Sequence, residues 1–358
     1  MNVTVVGSGN GGLAIAYDWA HHGHTVNLAG TTRFTTTLAD VAEAGGITAT
    51  GQWEGFVPIA YSGPDMARAL EGAELVVIAG PAFATEPQAE LTREHLTPDQ
   101  AVVVIPTSCL GSAVFKKAAG LALASTQPIV GETSTLPYAV RKTGPAHLNL
   151  FKKIDAGITV AGLPSSGTPR LHEILAQVYP TIEPAKSVFE TTLANGNPVI
   201  HPAVTLLNAA HIERTGGAFE FYAEGVTESV GRLMASVDAE RLAIADALGV
   251  SVLPEPDLGV KQGYMTEANY TTGYSTAPGF AGIAAQPALD HRYLTEDAGY
   301  SLVLLTELAR VLGVPTPTMD AVIQVAGVVL DRDFRAEDAR SLASAGLDGL
   351  SADELRAL

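Results

Sequence analysis

The chain has 358 residues, 47% of them hydrophobic, so it can bury two cores and we expect two domains. Its formal net charge of −17 at pH 7 argues against nucleic-acid binding, which needs clustered Lys and Arg side chains. The single cysteine excludes an intramolecular disulfide and a cysteine-based zinc site, and no apolar run reaches membrane-spanning length, so we expect a cytoplasmic protein without a bound metal.

The first half of the chain alternates short β-branched runs with helical stretches, which is typical of βαβ units around a parallel sheet. We predict strands over residues 3–6, 25–28, 75–79, 101–105 and 158–161. A helix over residues 11–22 separates the first two strands, and Gly23 would end it. The pattern predicts an α/β domain over residues 1–186.

The second half of the chain has few strand patterns and predicts a mainly α-helical C-terminal domain over residues 187–358. We predict helices over residues 187–213, 218–248, 298–312 and 319–330. Pro198 and Pro202 interrupt the first of these, so the backbone is expected to break or kink near His201. Residues 253–288 are rich in Gly, Pro, Tyr and Thr and predict a long ordered loop.

A glycine pattern follows the first predicted strand and opens the first predicted helix, at Gly7, Gly9 and Gly12. Alone the pattern is weak evidence, but here strand, glycines, helix and second strand come in the order that dinucleotide binding requires. Gly7 would allow the tight turn, Gly9 would let the backbone approach the pyrophosphate, and Gly12 would let helix and strand pack closely. The pattern therefore predicts a Rossmann-type domain in which Gly7, Ser8, Gly9, Asn10 and Gly12 bind the cofactor. The alternative is a purely structural glycine-rich turn.

The residues after the second predicted strand bear on the choice of cofactor. An NAD site usually has an acidic residue there to bind the ribose 2′-hydroxyl, but this chain has Thr31, Thr32 and Arg33. Hydroxyls and a guanidinium suit a 2′-phosphate, which a carboxylate would repel. The sequence thus favours NADP over NAD, the alternative being that Arg33 is an ordinary exposed loop residue.

Two segments of the second half, residues 195–203 and 289–297, concentrate polar side chains beside apolar helices. A histidine can transfer a proton near neutral pH, a carboxylate can fix its tautomer, and an arginine can bind a substrate carboxylate. Each residue alone is ambiguous, because a lone histidine is commonly a core residue and an Arg and Asp on one helix are commonly solvated.

The chain resembles the octopine/nopaline-type opine dehydrogenases, which reductively condense a 2-oxo acid with the amine of an amino acid. The resemblance spans the whole chain. It rests on the glycine pattern, on Gly-Glu-Thr-Ser-Thr-Leu-Pro-Tyr at residues 131–138, and on Asn-Pro-Val-Ile-His-Pro and Arg-Tyr-Leu-Thr-Glu-Asp in the two polar segments. The last three motifs are more specific than the first.

The resemblance assigns roles to particular residues. It implies that His201 transfers protons, that Asp297 pairs with it, and that Arg292 binds a substrate carboxylate. Thr133 and Ser134 would line the cleft for cofactor and substrate. The implied reaction condenses a small-molecule 2-oxo acid with an amino acid or amine to an imine, which a hydride from the nicotinamide reduces to a secondary amine.

Two other functions stay open at this point, as does a homodimer. One is a reductase resembling ketopantoate or glycerol-3-phosphate enzymes, which use a lysine on the helical domain. In this chain the only lysine after residue 187 is Lys261, inside the predicted loop. The other is a sensor that binds NADP without turnover, against which the presence of His201, Arg292 and Asp297 argues.

Overall fold

A computed structural model describes residues 1–31, 35–107 and 109–358. The chain forms two compact units, one of Met1–Ile154 with Ile158–Thr191 and the other of Asp155–Gly157 with Thr192–Leu358. The division therefore falls between residues 191 and 192, whereas the sequence placed a domain boundary between residues 186 and 187. That the first domain binds the cofactor and the second binds the substrate stays a prediction.

The first unit is built on strands and helices that alternate along the chain. Its strands are β1 (Asn2–Val6), β2 (Thr25–Ala29), β3 (Gly46–Gly51), β4 (Gly55–Pro58), β5 (Tyr61–Gly63), β6 (Leu75–Ala79), β7 (Ala101–Ile105), β8 (Ile129–Thr133), β9 (Tyr138–Gly144), β10 (His147–Lys153), β11 (Thr159–Leu163) and β12 (Glu183–Pro184). Its helices are α1 (Asn10–His21), α2 (Thr35–Ala44), α3 (Met66–Leu70), α4 (Thr85–Thr92), α5 (Gly111–Ala118) and α6 (Thr168–Leu175), and α7 (Val188–Leu193) crosses the division between the units. Short 3₁₀ turns occur at Ala82–Ala84 and Ser165–Gly167.

The larger sheet has the strand order β12-β11-β8-β7-β6-β1-β2-β5. Strand β1 pairs in parallel with β2 and β6, while β11 runs antiparallel to β8. All residues of β6 and β7 are buried, as expected for central strands covered on both faces. The order reverses at β1, and ligands of such sheets bind beyond the carboxyl ends of the strands at that point. The predicted α/β Rossmann-type fold is confirmed.

A smaller sheet, which the sequence did not predict, has the order β4-β3-β10-β9. Strand β10 pairs in parallel with β3 and antiparallel with β9. The backbone N–H of Lys142 on β9 donates to Asn10 Oδ1 at 2.8 Å. The small sheet thus holds the side chain that opens α1.

The second unit is mainly helical, which confirms the predicted class. Its helices are α8 (Asn197–Leu207), α9 (Ala209–Thr215), α10 (Glu228–Leu248), α11 (Glu255–Lys261), α12 (Thr272–Ser275), α13 (Arg292–Thr295), α14 (Val303–Leu312), α15 (Pro317–Leu330) and α16 (Ala352–Arg356). A π-helix spans Asp297–Leu302 and leads directly into α14, and a 3₁₀ turn spans Pro278–Phe280.

The helix break that the sequence predicted near His201 lies earlier in the chain than predicted. The chain leaves the helical conformation after Leu193, and Pro198 lies in the first turn of α8, where a missing N–H costs no hydrogen bond. Helix α8 then continues through Pro202, so His201 is part of an unbroken helix.

Two further predictions of elements were wrong in part. Residues 218–227 are not helical: they follow Gly217 at φ +79°, and Glu220 forms an isolated β-bridge with Ala284. Residues 253–288 are not one loop, because they contain α11 and α12. Lys261 is the last residue of α11, so it does lie on a helix and no longer argues against a lysine-dependent reductase.

Within residues 1–31, 35–107 and 109–358, no helix is long and apolar enough to cross a membrane. In the same ranges, no three His, Cys, Asp or Glu side chains are grouped so that they could hold a metal ion. The cytoplasmic location and the homodimer stay predictions from the sequence.

Candidate active site

The glycine pattern has the backbone geometry that the sequence predicted for it. Gly7 has φ +131°, and a Cβ atom there would collide with the carbonyl oxygen of Ala79 on β6. A Cβ on Gly12 would collide with the carbonyl oxygen of Gly7, whereas the Cβ position of Gly9 has no heavy atom within 4 Å. The turn and the close approach of α1 to β1 therefore need glycine at positions 7 and 12, and position 9 leaves open space.

The start of α1 fits the pyrophosphate of a dinucleotide. Gly9 is the N-cap residue, and in the part of the chain that the structure describes no side chain caps this end of the helix. The N–H groups of the first turn and the helix dipole are therefore available to an anion. Ser8 is buried in the same turn, and Asn10 is held by the small sheet.

The end of β2 supplies a second feature that fits a cofactor. Thr31 Oγ1 is buried and has no hydrogen-bond partner among the described residues. A buried hydroxyl without a partner is costly, and a ribose or phosphate oxygen would relieve that cost. Thr32 and Arg33, the other two predicted 2′-phosphate ligands, lie outside the described residues.

The second unit brings His201 and Asp297 together. His201 Nδ1 lies 2.8 Å from Asp297 Oδ2, and both side chains are buried. A carboxylate at Nδ1 keeps the proton on that nitrogen, which leaves Nε2 as the proton acceptor. Asp297 is the first residue of the π-helix, in which Ser301 N donates to the carbonyl of Glu296 at 3.1 Å.

Aromatic side chains surround His201. The ring of Tyr293 stacks on the imidazole with centroids 3.9 Å apart, and Phe221 meets it edge-on. We define the aromatic cluster as the Phe and Tyr residues that these rings and their further ring contacts join: Phe221, Tyr222, Tyr264, Tyr274, Phe280 and Tyr293. This cluster was not predicted from the sequence, although the Tyr-rich stretch before residue 288 was a signal for part of it.

Tyr222 is the member of the cluster that touches the reactive nitrogen. Its hydroxyl lies 3.3 Å from His201 Nε2. Burial raises the pKa of Tyr222 well above its usual value, and nearby acidic groups, Glu255 and Asp297 among them, raise it further. The phenol therefore stays protonated and donates to Nε2, which agrees with the tautomer that Asp297 imposes.

Arg292 precedes Asp297 by five residues in the chain, and its side chain remains accessible. It is the first residue of α13, which packs against α8, and its side chain is 55% exposed. Its Nε lies 3.3 Å from Glu296 Oε2. Glu296 contacts only the Nε edge of the guanidinium. The two terminal nitrogens can therefore still bind a substrate carboxylate.

Thr133 and Ser134 lie in the first unit, where both are buried. Thr133 Oγ1 donates to the carbonyl of Thr135 at 3.1 Å, and Ser134 Oγ accepts from Thr159 N at 3.0 Å. Both hydroxyls are thus engaged inside the first unit, and a contact of either with substrate stays a prediction.

The neighbouring Glu132 belongs to the family motif at residues 131–138, but no role was predicted for it from the sequence. Its buried carboxylate accepts from Thr107 Oγ1 at 2.5 Å, from Thr191 Oγ1 at 2.7 Å, and from Ser112 Oγ at 2.7 Å and N at 2.9 Å. Burial raises the pKa of Glu132, and the same hydrogen bonds oppose that rise. Glu132 therefore ties the end of β8 to α5 and α7.

Comparison with known proteins places these features in a family. A family model described as NAD/NADP octopine/nopaline dehydrogenase, alpha-helical domain, matches residues 184–330. An opine dehydrogenase of Arthrobacter sp. (strain 1C) is 33% identical over 356 residues, which cover 98% of this chain and 97% of the relative. The chain belongs to the opine dehydrogenase family. It is accordingly an NAD(P)-dependent oxidoreductase acting on CH–NH bonds, and this membership favours opine formation over the ketopantoate-type reductase and the sensor.

Solved opine dehydrogenase structures share the fold at lower sequence identity. An octopine dehydrogenase with NADH and L-arginine is 16% identical, with a TM-score of 0.80 over 100% of this chain and 98% of that one. A yersinopine dehydrogenase with NADP⁺ bound is 17% identical, with a TM-score of 0.70 over 100% of this chain and 97% of that one. Both confirm the two-part architecture of the opine dehydrogenase fold.

Proposed function

We propose that this chain is an opine dehydrogenase in which His201 transfers the protons, Asp297 stabilises its charged form, and Arg292 binds the carboxylate of the 2-oxo acid. The observation that carries the proposal is the buried pair of His201 Nδ1 and Asp297 Oδ2, 2.8 Å apart, with Nε2 left as acceptor. A buried carboxylate on a histidine fixes its tautomer and its orientation, which suits general acid–base chemistry.

The condensation requires His201 to carry two protons from nitrogen to oxygen. Nε2 first accepts a proton from the substrate ammonium, and the imidazolium that forms, which the charge of Asp297 stabilises, gives this proton to the keto oxygen as the amine nitrogen adds to the keto carbon, so that a carbinolamine forms. Nε2 then accepts a second proton from that nitrogen and gives it to the carbinolamine hydroxyl, which leaves as water and gives the protonated imine. When bound, NAD(P)H supplies a hydride to the imine carbon, and the product is a secondary amine.

Arg292 contributes by positioning. Its fork can hold the oxo acid by two parallel hydrogen bonds, which fixes the direction that the carbonyl carbon faces. Because the reaction joins two separate substrates, much of the rate acceleration comes from holding them in the productive orientation.

For the cofactor, the proposal includes a preference for NADP over NAD. It is supported by the Thr31-Thr32-Arg33 sequence after β2 and by the buried hydroxyl of Thr31, which has no hydrogen-bond partner in residues 1–31, 35–107 and 109–358. Arg33→Ala would raise the Kd for NADPH and leave that for NADH unchanged, since only NADPH carries the 2′-phosphate. Equal changes in both values would contradict the preference.

The activity is tested by following NADPH and NADH oxidation with pyruvate or glyoxylate against a panel of amino acids and simple amines. We expect consumption that requires both the oxo acid and the amine. Consumption with the oxo acid alone would identify a 2-oxo-acid reductase, and tight NADPH binding without any consumption would identify a sensor.

A further inference from the structure

One buried carboxylate near the aromatic cluster has no role in the mechanism above. Glu255, the first residue of α11, is only 6% exposed. Its Oε2 atom is buried and has no hydrogen-bond partner in residues 1–31, 35–107 and 109–358. A buried carboxylate oxygen that has lost its hydration and gained no hydrogen bond costs free energy. A ligand that pairs with this oxygen would lower that cost, so Glu255 is a candidate binding residue.

Glu255 lies beside the helix that carries His201. A Cβ atom on Gly196, the N-cap residue of α8, would lie 2.6 Å from Glu255 Cγ and 2.7 Å from its Oε1. Glu255 is also close enough to Tyr222 to raise the pKa of that phenol, whose oxygen lies 3.3 Å from His201 Nε2. The carboxylate and the reactive imidazole therefore belong to one region of the second unit.

Arg241, a cation near Glu255, forms its ion pair and hydrogen bonds with other groups. Arg241 pairs with Asp238 at 2.6 Å and donates to the carbonyl oxygens of Leu193 and Leu253. Asp238 in turn accepts from the backbone N–H of Glu255 at 2.8 Å. Burial and the charge of Asp238 raise the pKa of Glu255 to about 8, while Arg241 opposes that rise. Among the residues that the structure describes, Arg241 is thus engaged with groups other than the carboxylate of Glu255.

Aromatic side chains pack around Tyr222 in the same unit. The rings of Tyr222, Tyr264 and Tyr274 all stack with Phe280, at centroid distances of 4.2, 5.4 and 5.8 Å. Tyr274 Oη is a second buried polar atom without a partner in the part of the chain that the structure describes. Aromatic faces and a carboxylate attract the same kind of group, a compact ammonium.

We propose that Glu255 and the aromatic cluster bind an ammonium group of the amine substrate, which makes Glu255 a determinant of amine specificity. This inference rests on the proposed function for the identity of the substrate. The ammonium has two sources, the α-amino group before it reacts or a second cation on the side chain of the amino acid. L-Norvaline and L-ornithine separate them, since only ornithine carries the second cation.

The test is Glu255→Gln in the full chain, which keeps the shape of the side chain and removes the charge that Glu255 takes on when an ammonium pairs with it and lowers its pKa. Titration calorimetry in the presence of NADPH and without oxo acid measures amine binding independently of turnover. We expect affinity to fall about 10- to 100-fold, the usual effect of losing a hydrogen bond to a charged group. The Kd for NADPH and the KM for pyruvate would stay unchanged.

Tyr270→Phe is the matched control, because it disturbs the same buried group without touching the carboxylate of Glu255. Tyr270 donates to Asp238 Oδ2 at 2.5 Å, and we expect its loss to lower the melting temperature without weakening amine binding. If Glu255→Gln fails to fold, Glu255→Asp shortens the side chain at constant charge and should give a smaller loss of amine affinity.

The amine affinities of Glu255→Gln distinguish the two possible sources of the ammonium. Weaker binding of both amino acids assigns the α-ammonium, and weaker binding of ornithine alone assigns the side-chain cation. Unchanged binding of both, or a loss equal to that of Tyr270→Phe, overturns the inference. Glu255-dependent amine binding in a protein without opine dehydrogenase activity would retain the subsite and refute the proposed function.

Discussion

Replacement of Asp297 by Asn removes the charge that faces the imidazole while it preserves the size of the side chain. The native contact is a buried hydrogen bond of 2.8 Å between His201 Nδ1 and Asp297 Oδ2. A hydrogen bond to a charged group contributes about 1.5–3 kcal/mol, and each 1.4 kcal/mol corresponds to about tenfold in rate. Because the imidazolium exists only after proton transfer, we expect kcat to fall roughly 10- to 150-fold for Asp297→Asn.

Steady-state NADPH oxidation with saturating oxo acid and amine measures this effect. Asp290→Asn is the control, because Asp290 lies in the same segment but is exposed, and it should retain kcat. NADPH binding to Asp297→Asn should also be normal, since the glycine pattern lies in the other unit. A fall in kcat below about threefold, with an unchanged fold, would refute the role of the pair.

Three further predictions concern the cofactor turn, the phenol and the buried glutamate. Gly12→Ala should lower the melting temperature through overpacking of about 1–3 kcal/mol, whereas Gly9→Ala, with open space around its Cβ, should fold normally and weaken only NADPH binding in calorimetry. Tyr222→Phe should lower kcat about 2- to 10-fold by removing the hydroxyl 3.3 Å from His201 Nε2, and an unchanged kcat would exclude a role for that contact. The pKa of Glu255 is raised from 4.5 to about 8 in the folded state, so its contribution to stability is full below pH 4.5 and is lost as the pH rises towards 8. Glu255→Gln should therefore gain stability relative to the native chain over that interval, by roughly 5 kcal/mol at most, and a pH-independent difference in thermal unfolding would contradict this.

The sequence was informative where a pattern is local. All five predicted strands form with ends within two residues, because buried strands are short, largely apolar runs that can be recognised locally. The glycine pattern could be recognised because the backbone next to Gly7 and Gly12 leaves no space for a Cβ atom at either position. His201, Asp297 and Arg292 were identified through the family motifs, since nothing in their spacing alone separates a catalytic group from a core or surface residue.

The rest depends on contacts between residues far apart in the chain. Tyr222, His201 and Tyr293 meet only once the helices have packed, and no periodicity in the sequence signals that meeting. The small sheet was missed because β3 contains two glycines and β9 carries two adjacent charged residues, Arg141 and Lys142, which weakens both as strand patterns. Glu255 Oε2, which has no hydrogen-bond partner among the described residues, likewise cannot be recognised from the sequence before its surroundings are known.

The π-helix at Asp297–Leu302 makes the pairing of Asp297 with His201 tolerant of a one-residue change in chain length. Helix α14 follows it without a break and is anchored by a buried apolar face. A turn with hydrogen bonds from residue i to i+5 holds one residue more than an α-helical turn, so loss of a single residue between positions 298 and 302 would restore ordinary α-helical winding and leave Asp297 on nearly the same side of the helix axis relative to that anchor. In evolution, a one-codon deletion there would keep both the acid–base pair and the apolar core, so relatives that differ in length by one residue at this point should share the chemistry.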